Sequence, residues 1–189
     1  MRLFVALQLS AEVRETFAAL LGELRRADPK PRWAEPENLH ITLKFIGHIA
    51  DEKRPLICHA LAAVRVPPPM TIEFHGLGFF PNARRPTVVW AGLPALQELA
   101  ALAGKIVTAL AVCGVSPETR PFAPHLTLAR LKDTRISDAL RAQIEHAENR
   151  SFGKQIVRDF HLIESKLKST GAEYTTLRSF PFAGEGINQ

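Results

Sequence analysis

The sequence predicts an α+β fold made of two copies of one strand–helix–strand–helix–strand unit. Three observations carry that expectation. Stretches that alternate apolar and polar residues take turns with stretches whose apolar residues recur at helical spacing. The order of these stretches repeats once along the chain. A short motif, His-x-Thr-Leu, stands at His40 and again at His125, 85 positions later.

Taken in order, residues 2–9 place Leu3, Val5, Leu7 and Leu9 on one side of a strand and Arg2, Phe4, Ala6 and Gln8 on the other. Ser10 caps a helix whose stripe is Val13, Phe17, Leu20, Leu21 and Leu24, ending before Asp28-Pro29. A proline-rich loop with Trp33 leads into "LHITLKFIG", residues 39–47, the first motif strand. Asp51 is expected to cap a second helix with Pro55 in its first turn and Leu56, Ile57, Ala60, Leu61 and Val64 inward, closed by "VPPP". "TIEFHGLGFF" reads as one strand, "PNARRP" as a reversal, and "TVVWAGL" as its partner.

The second copy follows the same plan. A helix runs from beyond Pro94 to Gly114, "PHLTLARL" is the second motif strand, and Ser137 caps a helix through Leu140 and Ile144. "IVRDFHLIESKL" reads as a strand and "EYTTLRSFPF" as a last one. Pro36 and Pro121, Thr42 and Thr127 keep the 85-residue offset, and "EFH" at Glu73 is echoed by "DFH" at Asp159. A single domain over residues 1–189 is expected, with repeats of about 1–82 and 86–168 and a C-terminal strand at 173–182.

Composition narrows the class. With 189 residues, 46% hydrophobic and 23% charged, the chain is long enough for a sizeable core and too mixed for a disordered tail. Its net charge of +5 favours acidic partners such as nucleic acid. Cys58 and Cys113 stand alone, without zinc-ligand spacing, as in a reduced intracellular protein. The apolar start is interrupted by Gln8 and lacks a cleavage site, and no run approaches the length of a spanning helix. A cytoplasmic protein without membrane association or an obligate protein partner is expected.

One His-x-Thr in isolation carries little; fewer than one is expected by chance from 7 His and 11 Thr, and two in register with the same offset are a signal. Alternation puts Leu39, Ile41, Leu43 and Phe45 on the core side and His40, Thr42 and Lys44 on the other. His125 and Thr127 share a face in the same way, with His and Thr about 6.6 Å apart along each strand. Two imidazoles near neutrality supply a base and an acid, and two hydroxyls can hold the non-bridging oxygens of a phosphate between them. Such chemistry needs no metal and no other cofactor. Three alternatives stay open on the residues themselves: a metal site, for which the motif strands offer no carboxylate or thiol; two histidines satisfied in a core; and a nucleotide or RNA 3′-end binding module without turnover. By pattern, either histidine can be the acid.

"ENLHITLKFIG" and "RPFAPHLTLAR", with "RLFVAL", Trp33, "FFPNARRPTVVWAGL" and "ESKLKSTGAEYTTLRSFPF", resemble the 2H phosphoesterase superfamily over nearly the whole chain. Within it they resemble the LigT-type family of RNA 2′,3′-cyclic phosphodiesterases, also called 2′-5′ RNA ligases. The resemblance implies a two-lobed fold of mainly antiparallel sheets lining a central cleft. It also implies metal-independent opening of an RNA terminal 2′,3′-cyclic phosphate to a 2′-phosphate, and the reverse ligation. By the same resemblance His40 is the proton donor, His125 the proton acceptor, and Thr42, Thr127 and Arg130 bind the phosphate. Strict alternation sets Arg130 on the Leu126 side, away from His125, unless a bulge near Ala129 turns it. Lys44, by pattern beside His40, and Trp33 are candidate contacts to RNA or its base, against solvation for the one and packing for the other. The basic pair Arg84-Arg85 falls in the expected hairpin tip.

Overall fold

The structure is a computed structural model that describes residues 1–94, 96–118, 121–168 and 171–183. Its elements are β1 (Arg2–Gln8), α1 (Ala11–Ala27), β2 (Arg32–Trp33), β3 (His40–His48), α2 (Arg54–Ala62), β4 (Met70–His75), β5 (Leu77–Phe80), β6 (Val88–Gly92), α3 (Gln97–Ala111), β7 (His125–Arg130), α4 (Asp138–His146), β8 (Ser151–Val157), β9 (Asp159–Lys168) and β10 (Gly171–Pro181). The main sheet runs β10-β9-β1-β3-β7-β6-β5, with β2 added beside β7, and β4 pairs β8 apart from it. Every pairing is antiparallel, so the mixed α+β class with mainly antiparallel sheets is as expected.

Helices α1 and α4 form where their serine caps and apolar stripes place them. Ser10 Oγ accepts from Val13 N–H at 3.3 Å and Ser137 Oγ from Leu140 N–H at 3.0 Å, each cap stabilising its helix by about 1 kcal/mol. Asp51 does not cap α2. Its carboxylate takes the Met1 ammonium at 3.0 Å, and α2 starts at Arg54 after a short 3-10 turn with no side-chain cap. One face of the main sheet is core: Leu3, Val5, Leu7, Ile41, Leu43, Leu126, Leu128, Phe160 and Leu162 are buried together with the stripes of α1 and α3. Phe17, fully buried between Phe74 at 5.3 Å and Phe152 at 5.6 Å, ties α1 to β4 and β8. Removing its ring would cost about 3–5 kcal/mol.

Two expected strands are each two. In residues 71–80 the buried positions are Ile72 and Phe74, then Leu77 and Phe79, so the parity switches at Gly76. A continuous strand would turn one pair into solvent. Gly76 takes φ +74°, where a Cβ would lie 2.4 Å from Glu148 O, and β4 leaves for β8 while β5 joins β6. The same switch, from Gln155 and Val157 to Phe160 and Leu162, separates β8 from β9.

Candidate active site

The two motif strands do not face one another across a gap; they are neighbours in one sheet. β3 and β7 join at a single Cα pair, Ile41 with Leu126, two core residues that are themselves 85 apart. One antiparallel step to either side of that pair puts His40 across from Thr127 and Thr42 across from His125. The four side chains, all half-buried, form a quadrilateral on the face opposite the core, with the histidines on one diagonal and the threonines on the other.

Just past each threonine the strand bulges. Ala6 pairs Thr42 and Val5 pairs Lys44, leaving Leu43 extra; Trp90 pairs Thr127 and Val89 pairs Ala129, leaving Leu128 extra. A bulge inverts the phase of every residue beyond it. Ala129 therefore turns into the core, and Arg130, paired with the cleft-side Val88, turns toward the histidines. That resolves the conflict over Arg130. The same inversion corrects the reading of Lys44. It is buried at 4% exposure on the core side, donating to Ser116 O at 2.7 Å and Glu118 Oε1 at 2.7 Å, and it does not share the His40 face. Phe45 takes the cleft-side place instead, half exposed.

Trp33 is also corrected. It pairs Ala129 and so faces the core side, where its ring packs, while its indole N–H donates to Asp28 O at 2.9 Å. Asp28 is buried and also accepts from Ser137 N–H at 2.7 Å, so Trp33 anchors the loop ahead of β3 to the start of α4. Its neighbour Arg32 pairs Arg130 on the cleft side. Nothing in the sequence singles out Arg32, because a strand of two residues has no period to read.

Both histidines are held in the same way. His40 Nδ1 lies 2.7 Å from Asn38 O and His125 Nδ1 lies 2.8 Å from Ala123 O, in each case the carbonyl two residues back. A carbonyl can only accept, so Nδ1 carries the proton and Nε2 is left to exchange one. Aromatic rings wall the pair. Phe4 lies 4.7 Å and Tyr174 5.2 Å from the His40 ring, Phe80 5.0 Å from the His125 ring. Trp90 lies across Gly78, where a Cβ would come within 2.3 Å of its Cζ2. These walls are not legible in the sequence because they come from β1, β5, β6 and β10.

Burial lowers the pKa of His40 below the ordinary imidazole value, and the Arg130 guanidinium and the His125 ring act in the same direction; the Asn38 carbonyl opposes them. A small recess of about 90 Å³ opens beside His40, lined by Gln8, Arg14, Asn38, Tyr174 and Thr176 among others. A larger one, about 590 Å³, lies not at the histidines but beyond Phe45, between the end of β3 and residues 113–118. Among the described residues no three His, Cys, Asp or Glu side chains gather as a metal-ligand set. No helix there is long and apolar enough to cross a membrane.

An antiparallel α+β scaffold with paired His-x-Thr strands side by side defines a 2H phosphoesterase. The chain belongs to the 2′-5′ RNA ligase superfamily, whose family model matches residues 11–168. It is 38% identical over 182 residues to the RNA 2′,3′-cyclic phosphodiesterase of Archaeoglobus fulgidus, covering 95% of this chain and 99% of that one. The enzyme of the same name from Methanothermobacter thermautotrophicus is 33% identical, over 95% of this chain and 97% of that one. Among solved structures, a protein of Thermus thermophilus superposes with a TM-score of 0.82 at 29% identity, covering 98% of this chain and all of the other. E. coli LigT complexed with 3′-AMP superposes with 0.76 at 27% identity, covering 96% and 97%.

Proposed function

We propose that this protein hydrolyses the terminal 2′,3′-cyclic phosphate of RNA to a 2′-phosphomonoester, by acid–base catalysis between two histidines and without a metal. The observation that supports it most is the diagonal arrangement: in-line displacement at phosphorus wants base and acid on opposite sides of the reacting atom, with hydroxyl donors on the remaining corners. In this reading His125 Nε2 takes a proton from water as its oxygen bonds to phosphorus. The bond from phosphorus to the 3′ oxygen breaks, and His40 Nε2–H gives that oxygen its proton. Thr42, Thr127 and Arg130 hold the non-bridging oxygens.

Before His40 can give a proton it must carry one, and burial and Arg130 hold it toward the neutral form in the free protein. An arriving phosphate anion reverses this, because a nearby negative charge favours imidazolium. The substrate thus charges its own acid. With a 5′-hydroxyl in place of water as the nucleophile, the same groups would break the same bond to the 3′ oxygen and join two strands through a 2′-5′ linkage. A cytoplasmic location belongs to the same proposal, as does an origin by duplication, with residues 1–82 and 86–168 the two copies within one domain. The matched bulges after Thr42 and Thr127 favour the duplication.

The test is to incubate the protein with adenosine 2′,3′-cyclic phosphate, with and without EDTA, and follow phosphorus NMR. Appearance of the 2′-monophosphate at the same rate in both is expected. Tight binding without product over hours would replace the hydrolase by a binding module, and a rate abolished by EDTA and restored by a divalent cation would remove the two-histidine mechanism.

A further inference from the structure

We infer that Arg32, paired with Arg130 across β2 and β7, forms a second anion site that holds the phosphate on the 5′ side of the terminal nucleotide. This inference rests on the hydrolase reading above for the identity of the ligand. Direct cross-strand partners point to the same face, so the two arginine side chains leave the sheet from paired positions at the edge of the cleft. Like charges set directly opposite destabilise a sheet, and among the described residues neither side chain has a hydrogen bond or an ion pair to offset that. Both are exposed. Arg130 turns to the reacting phosphate, and the forked donor of Arg32 on the neighbouring strand, left open, matches the oxygens of a second phosphate group.

Position selects which phosphate. The arginine pair lies past Thr127 along β7, at the His40 end of the quadrilateral, and the lowered His40 pKa owes part of its shift to Arg130. His40 is the side on which the ribose oxygen leaves, so the ribose and its 5′ extension lie toward these arginines. The turn from β5 to β6, with Arg84 and Arg85, reaches the same end through Leu131 N–H donating to Thr87 O at 2.9 Å. At the opposite end the corresponding positions, 85 residues away, are Phe45 and Pro117. A strand would therefore enter in one orientation only.

The experiment compares two substrates, adenosine 2′,3′-cyclic phosphate with and without a 5′-phosphate, on wild type, Arg32→Gln and Arg32→Lys. Wild type is expected to favour the 5′-phosphorylated compound in kcat/KM by about tenfold, the size of one charge-assisted contact. Arg32→Gln should bring that ratio close to one, and Arg32→Lys should restore part of it. On a cyclic-ended oligoribonucleotide the dependence of log kcat/KM on log salt should become shallower in Arg32→Gln by roughly 0.7, the value for one contact to a single strand. A wild-type ratio near one, or a loss in Arg32→Gln that is equal for both compounds, would overturn the inference. The ratio is read a second time as affinity by calorimetry. Absence of turnover would then sink the hydrolase reading while the affinity ratio still decides this one.

Discussion

The two ends of the quadrilateral are built on the same backbone and furnished differently. Each has a histidine tied to the carbonyl two residues back, a threonine two residues on, and a bulge that swings the next cleft-side residue round. At that last position one strand has Phe45 and the other Arg130, and the cation is the one whose charge reaches His40. Under the proposed mechanism, a symmetrical frame would yield a directional reaction in this way: the frame offers two equivalent imidazoles, and a single position on each motif strand makes them unequal.

The strongest way to break the comparison is to remove either histidine. His40→Ala and His125→Ala should each lower cyclic-phosphate hydrolysis by roughly 10² to 10⁴ with the circular dichroism of the folded protein retained, since general acid and general base each contribute on that scale. Undiminished turnover in one of them would show that the diagonal is not a working pair. Next, Thr42→Val and Thr127→Val should each cost on the order of 10² in kcat, by loss of a hydroxyl at the developing charge. A loss confined to KM would mean that the hydroxyls act on the ground state alone.

Arg130→Gln and Phe45→Gln sharpen the contrast. A cation beside an imidazole disfavours its protonated form, so deleting Arg130 should move the His40 midpoint upward in a proton NMR titration of the ring resonances, and Phe45→Gln should leave it in place. A downward shift, or equal shifts in both, would remove the electrostatic difference between the two ends. The smallest effect on activity is expected at Lys44. Lys44→Met should leave kcat/KM within about twofold and lower stability by about 1–3 kcal/mol, as Ser116 O and Glu118 lose a charged donor. A large loss of activity would return Lys44 to the site.

Much of this is legible in the residues. Period-2 and helical stripes locate α1, β1 and both motif strands, and Ser10 and Ser137 cap as their positions suggest. The offset between the His-x-Thr motifs puts His40, Thr42, His125 and Thr127 in one constellation from the sequence alone. The misses of face and of strand share one cause. Counting assigns a face to Lys44 and Phe45 and runs straight through Gly76 and Arg158; in each case the chain changes phase by one residue, through a bulge or a break, and every later side chain exchanges faces.

The sequence by itself therefore determined the chemistry available, the pairing of the motifs and the class of the fold, because residue type and local period are properties of short stretches. Only the tertiary structure decided that the histidines lie on a diagonal, that Arg130 and not Lys44 joins them, and that Arg32 stands beside it. Those depend on register between strands far apart in the chain and on two one-residue bulges, neither of which alters composition or period enough to be read in advance.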